Sequence, residues 1–171
     1  MDKIQMVDLK TQYQKIEKQV DTAIKEVITT SNFINGKAVK EFASDLENYL
    51  GVKHVIPCGN GTDALQIALM AFELKPGDEI ITSTFTFIAT AEVIALLGLT
   101  PVFVDVDSNN FNISTEEIKK KITKKTKVIL PVHLYGQCAP MEEILEIAKE
   151  NNLYVIEDTA QAIGSNFIFK D

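Results

Sequence analysis

From Lys53 onward, short apolar runs recur about every 25 residues, and this spacing constrains the fold more than any other feature of the chain. The runs are Val55–Pro57, Glu79–Thr82, Val102–Val106, Val128–Val132 and Leu153–Ile156. Residues with helical periodicity lie between them, which is the pattern of repeated βαβ units. The runs are continuously apolar where a half-exposed strand would alternate, so both faces of the sheet need a cover. The fold class that follows is α/β: a mostly parallel sheet flanked by helices in three αβα layers. Turn and cap residues punctuate it. Pro76-Gly77-Asp78 makes a turn, Gly98 ends a helix that begins near Phe87, Ser114 and Glu117 form a capping box, and Pro140 takes a first helical position.

The residues before Lys53 follow another pattern. Ile16, Val20, Ile24, Val27 and Ile28 share one helical face, predicting a helix from about Tyr13 to Thr30. Ser31-Asn32 and Asn35-Gly36 break it. A second helix carries Val39, Phe42, Leu46 and Leu50 on one face and ends at Gly51. Residues 1–52 are therefore expected as a helical arm or flanking layer, and residues 53–171 as the sheet domain.

Composition removes several functions. With 24 acidic against 17 basic residues the formal net charge is -7, which disfavours nucleic acid as a partner, since phosphate neutralisation supplies most of that affinity. The basic residues around Lys119–Lys121 read as a solvated helix end. Cys58 and Cys138 have neither metal-site nor disulfide-framework spacing, and with two histidines no zinc site is expected. The start of the chain lacks the basic and apolar regions of a signal peptide. The longest apolar stretch, Ala91–Val104, is interrupted by Gly98 and Pro101 and is too short to span a bilayer. A soluble, cytoplasmic protein is the expectation, with no membrane and no metal.

Candidate chemistry follows the strands, where ligands of open α/β sheets bind. Asp158 arrives at the end of the last strand, where its carboxylate can pair with a cationic ring nitrogen or simply cap the next turn. Cys58-Gly-Asn-Gly-Thr-Asp63 opens a helix whose N–H groups suit an anion, with the Thr62 hydroxyl as a further donor; the alternative is a tight turn with Thr62 as N-cap. It is neither a dinucleotide fingerprint nor a P-loop. Phe87 can lie over a planar ligand or sit in the core, and His133 can contact a ligand or be a satisfied structural histidine. No Ser-His-Asp order or nucleophile elbow is present. Together, an anion site, a ring platform and an acid would surround a planar phosphorylated cation such as pyridoxal 5'-phosphate (PLP), with Asp158 keeping the ring nitrogen protonated.

The motifs that frame these residues resemble the DegT/DnrJ/EryC1/StrS family of nucleotide-sugar aminotransferases, a fold-type I PLP class. They are Asp8-Leu-Lys-Thr-Gln-Tyr13, Asn60-Gly-Thr-Asp-Ala-Leu65, Pro76-Gly-Asp-Glu-Ile-Ile81, Thr84-Phe-Thr-Phe-Ile-Ala-Thr90, Pro101-Val-Phe-Val-Asp105, Val132-His-Leu-Tyr-Gly-Gln137 and Glu157-Asp-Thr-Ala-Gln161. They stand in family order and cover essentially the whole chain. The resemblance implies that Gly61, Thr62 and Asp63 bind the cofactor phosphate, that Phe87 stacks on the ring, that Asp158 meets the ring nitrogen, and that Gln161 lies near the ring hydroxyl. It also implies a homodimer that moves an amino group, usually from glutamate, to a keto-sugar on a nucleotide diphosphate. Asn60–Gln66 and Leu134–Cys138 look most like members acting on UDP-linked 3-keto-N-acetylglucosaminuronic acid, in surface-polysaccharide, lipopolysaccharide or aminosugar biosynthesis.

One departure stands against the matches. The family's Schiff-base lysine follows the Glu-Asp-x-Ala-Gln motif, beyond Asp171, and Lys170 is too early and in the wrong context. The expectation is an N-terminal fragment: a partial large domain, without the C-terminal small domain, that cannot turn over alone. Asn166–Asp171 would begin another strand or hairpin, and an open sheet edge is an aggregation liability. The competing readings are a naturally short, non-catalytic protein that binds PLP, a nucleotide-sugar or a partner subunit; a Rossmann-type sugar dehydrogenase or epimerase; and a PLP-dependent sugar dehydratase of the same fold.

Overall fold

The computed structural model describes residues 6–169, and the chain divides into two compact units, Met1–Pro57 and Cys58–Asp171. In the first unit, α1 (Leu9–Thr30) starts earlier than its apolar periodicity predicts, because Asp8 caps it: the carboxylate accepts the Thr11 N–H at 3.0 Å. The second helix, α2 (Lys37–Leu50), ends at Gly51 in the left-handed region, as expected. Neither helix buries a residue; Ile24 and Ile28 on the apolar face of α1 are 54% and 61% exposed.

The expected strand at Val55–Pro57 does not form. The Val55 N–H, which a sheet would use, instead donates to the Glu47 carboxylate at 3.0 Å, and Pro57 has no N–H to offer. The helix that carries the Asn60-Gly61-Thr62-Asp63 turn therefore opens from irregular chain.

The second unit runs α3 (Gly61–Met70), β1 (Glu79–Ser83), α4 (Ile88–Leu96), β2 (Thr100–Val104), α5 (Thr115–Lys121), β3 (Thr126–Leu130), α6 (Met141–Asn151) and β4 (Tyr154–Val155). The four strands pair in parallel in the order β2-β1-β3-β4. Successive residues point to opposite faces. Ile80, Val128 and Leu130 pack with Leu69 of α3 and Val93 and Ile94 of α4. Ile81, Val104 and Ile129 pack on the other side with Ile118 of α5 and Ile144, Ile147 and Ala148 of α6. This is the three-layer αβα architecture that the apolar runs require, with a core on each face of the sheet.

The strands are shifted or shorter than the apolar runs. β3 stops at Leu130 because Pro131 follows; beyond it Val132 forms a single parallel bridge with Asp158. Val106, expected inside β2, bridges alone to Ile113 in antiparallel sense. Ser114 caps α5 by accepting the Glu117 N–H, but the reciprocal half of the expected capping box does not form, since the Ser114 N–H donates to Asp105 O and the Glu117 carboxylate pairs with Lys120; Lys119–Lys121 form the last turn. Pro140 precedes the first helical residue of α6 instead of occupying it. No strand forms among the described residues of Asn166–Asp171; Phe167 packs on the α5–α6 side of the sheet, and Lys170 and Asp171 lie outside the described residues. Among the described residues no helix is long and apolar enough to cross a membrane, and no group of side chains could hold a metal ion.

Candidate active site

Because the strands are parallel, their carboxyl ends share one edge of the sheet, and the loops that follow β1, β2, β3 and β4 meet there. Asp158 is fixed at this edge by its own backbone. Its N–H donates to Pro131 O at 2.9 Å, and its carbonyl accepts the His133 N–H at 3.0 Å. The side chain is buried, 8% exposed, with each oxygen engaged once. Oδ2 accepts the Thr90 hydroxyl at 3.1 Å and Oδ1 accepts the Ala160 N–H at 3.2 Å. The turn-capping alternative is thus present, but it uses only one oxygen. Each oxygen keeps a lone pair for a further donor. Thr86 lies one turn before Thr90, with the two hydroxyls 3.1 Å apart. If Thr90 donates to Asp158, Thr86 is the donor to Thr90. Thr86, just before the cap of α4, and Thr90, in its first turn, are missing from the residues singled out by sequence.

His133 is buried, and both ring nitrogens are occupied. Nδ1 accepts the Ala139 N–H at 2.9 Å, which puts the ring hydrogen on Nε2, 2.8 Å from Glu157 Oε2. That hydrogen bond, against the opposing effect of desolvation, holds the half-exposed Glu157 carboxyl below the usual carboxylate range. The arrangement matches the structural-histidine alternative: in this geometry His133 has no ring nitrogen left for a substrate.

Phe85, Thr86, Phe87, Leu134, Tyr135 and Gln161 line a hollow of about 250 Å³. Phe87 precedes α4 and is 72% exposed, so it is not a core residue. Gln161 Oε1 accepts the Tyr135 N–H at 2.8 Å, which turns the amide nitrogen, a two-fold donor, away from that bond. The loop carrying Tyr135 is held by Asn112, a buried residue that sequence did not single out. Its Nδ2 donates to the Gln137 and Cys138 carbonyls, each at 3.3 Å, and its Oδ1 accepts the Leu134 N–H at 3.4 Å. A larger hollow of about 490 Å³, lined by Glu73, Lys75, Asp78, Lys127 and Tyr154 among others, lies near the amino ends of the strands. It mixes both charges and has no converging chemistry.

At α3 the cap is Asn60, not Thr62. Asn60 Oδ1 accepts the Asp63 N–H at 2.9 Å and its amide donates to Asp63 Oδ2 at 3.0 Å. Asp63 is therefore engaged within the cap, while the Gly61 and Thr62 N–H groups have no partner in the helix. Gly61, Thr62 and Asp63 do not line the hollow; Phe87 and Gln161 do, and Asp158 is bonded to the helix that follows Phe87.

The model of the DegT/DnrJ/EryC1/StrS aminotransferase family matches residues 14–169. The chain belongs to this family. A "Pleiotropic regulatory protein" of Geobacillus stearothermophilus is 49% identical over 96% of this chain and 44% of its own length. A UDP-2-acetamido-2-deoxy-3-oxo-D-glucuronate aminotransferase of Pseudomonas aeruginosa is 44% identical over 96% of this chain and 46% of its own length. The solved structure of NtdA from Bacillus subtilis, with bound cofactor PMP, has a TM-score of 0.84 at 40% identity, covering 88% of this chain and 34% of that one. The chain spans less than half the length of these proteins. The fold is that of the fold-type I DegT/DnrJ aminotransferases, and the cofactor of the family is PLP.

The residues present fit that group. PLP offers a phosphate, a ring nitrogen, a ring oxygen and two flat faces. The structure offers unpaired N–H groups at a helix start, a buried carboxylate with spare lone pairs, an amide donor and an exposed phenyl ring.

Proposed function

We propose that the protein is a PLP-dependent aminotransferase that moves an amino group, from glutamate, to the keto group of a nucleotide-diphosphate sugar. The observation that carries the reading is the buried Asp158 carboxylate, clamped at the sheet edge and bonded to Thr90 at 3.1 Å. A carboxylate fixed beside a ring nitrogen favours the protonated form of that nitrogen. When bound, PLP supplies an electron sink for negative charge developing on the carbon that carries the nitrogen.

The chain's own residues then have distinct tasks. The Gly61 and Thr62 N–H groups bind the phosphate, aided by the positive end of α3, with Asp63 securing that turn through Asn60. Phe87 covers one face of the ring, Asp158 holds the proton on its nitrogen, and the Gln161 amide donates to its oxygen. His133 acts from behind, tying Glu157, and so the segment that carries Asp158, to the Ala139 backbone.

For the substrate, the likeness to the Pseudomonas aeruginosa relative named above supports a UDP-linked 3-keto-N-acetylglucosaminuronic acid. We place the enzyme in the cytoplasm, as a homodimer, in surface-polysaccharide or aminosugar biosynthesis. The test uses the protein produced from its own gene, supplied with PLP, glutamate and the UDP-3-keto-sugar. Formation of 2-oxoglutarate together with the UDP-3-amino-sugar, each seen by mass spectrometry, is expected; neither product would contradict the reading. The name of the Geobacillus stearothermophilus relative favours a second reading, a regulatory protein that binds PLP or a nucleotide-sugar. Binding without transfer in the same assay would select it.

A further inference from the structure

Tyr135 stands in the left-handed region at φ 56 and ψ 25, where a side chain with a Cβ is strained and Gly or Asn is the ordinary occupant. Its ring is not buried in compensation: the residue is 72% exposed. The surroundings nevertheless force the conformation. Gln161 Oε1 takes the Tyr135 N–H, Asn112 Oδ1 takes the Leu134 N–H, Ser165 Oγ donates to the Gly136 carbonyl at 2.7 Å, and the Gln137 N–H closes on Leu134 O at 3.1 Å. A strained residue held from several sides is a feature of ligand clamps. Folding alone would be better served by Asn or Gly here, so what the phenol ring meets must account for the tyrosine. Tyr135 lines the hollow together with Phe85, Phe87 and Gln161.

We propose that Tyr135 is a specificity-determining contact for the sugar of the nucleotide-sugar, presenting a fixed aromatic face to the sugar ring as it approaches the hollow. This inference rests on the reading given under Proposed function. An aromatic suits the task because it offers a large, rigid contact with few side-chain torsions to freeze, and the pinned backbone removes more of that cost. The contact is assigned to substrate and not to cofactor, since the reading given under Proposed function assigns the cofactor ring to Phe87, Asp158 and Gln161.

The test compares the protein produced from its own gene with its Tyr135→Asn and Tyr135→Phe variants. Three quantities are read: calorimetric affinity for the UDP-3-amino-sugar, affinity for pyridoxamine phosphate, and thermal midpoint. Tyr135→Asn is expected to bind the amino-sugar about ten-fold more weakly. Its cofactor affinity is expected unchanged and its thermal midpoint unchanged or raised, because Asn accepts this backbone. Tyr135→Phe keeps the platform and should restore most of the affinity. If Tyr135→Asn binds the amino-sugar as the parent does, or loses thermal midpoint and cofactor affinity together, the proposal is overturned and the ring is structural. If the parent binds pyridoxamine phosphate but no nucleotide-sugar, the substrate class itself is wrong and the proposal falls with it.

Discussion

Replacing Thr90 by Val isolates the hydroxyl on which the orientation of Asp158 depends. Valine has the shape of threonine and keeps the one buried methyl of a residue that is 1% exposed, but the methyl that replaces the hydroxyl cannot donate to Asp158 Oδ2. A hydrogen bond to a charged group contributes about 1.5–3 kcal/mol to stability. The 3.1 Å separation is long for an O–H···O bond, which places the estimate in the lower half of that range, at about 2 kcal/mol. Thr86 also loses its partner, but it is only partly buried and can turn to water. Thr90→Ser is the complement, keeping the donor while losing one methyl worth about 0.8 kcal/mol. Urea unfolding of the protein produced from its own gene should therefore rank the parent first, Thr90→Ser second and Thr90→Val last, with unchanged slopes. Pyridoxamine phosphate affinity should fall in Thr90→Val and be retained in Thr90→Ser. A Thr90→Val variant as stable as the parent, or less perturbed than Thr90→Ser, would refute the argument, because the bond would then contribute nothing.

The loop beneath the hollow and the ion pair behind it give further expectations. Asn112→Ala removes three hydrogen bonds to the Leu134–Cys138 segment, leaving the Leu134 N–H with its bond to Val132 O alone and the Gln137 and Cys138 carbonyls without the Asn112 amide. A loss of about 2–3 kcal/mol is expected in urea unfolding, with earlier hydrogen exchange at Leu134 and Gln137. Glu157 has a carboxyl depressed by the hydrogen bond from His133, so its contribution to stability is present above the unfolded-state value and is lost as pH falls through the lower folded value. Glu157→Gln should therefore lower stability at neutral pH and flatten the acid limb of a stability-versus-pH curve, the two proteins converging as pH falls below the folded-state value; an identical acid limb would count against the pairing.

The sheet was legible because burial on two faces demands continuous apolar runs, and Ile80-Ile81 and Val128-Ile129-Leu130 supply both cores at once. Val55–Pro57 misled because it has strand composition while its N–H goes to the Glu47 side chain, a competition that local composition does not record. Strand ends moved for a similar reason: Pro131 breaks a run whose apolar character continues through Val132. At the site, Asp158 and Phe87 stand out through their places after strands and Gln161 through the family resemblance, and the structure brings Phe87 and Gln161 to one hollow. Their supports do not stand out. Asn112 and Thr90 act on residues 22 to 26 and 68 positions away in the chain, respectively, so no local motif announces them. The strain at Tyr135 is equally silent in sequence, since tyrosine is an improbable occupant of that backbone region.

The most direct test of the account is calorimetric titration of pyridoxamine phosphate, which carries its own amine, into cofactor-free protein produced from its own gene. The same titration is run on Asp158→Asn. The parent should bind one equivalent saturably, and Asp158→Asn should bind at least about ten-fold more weakly, because the ring nitrogen loses its anionic partner. No binding by the parent, or equal binding by the two proteins, would contradict the assignment of Asp158 and the cofactor site built on it.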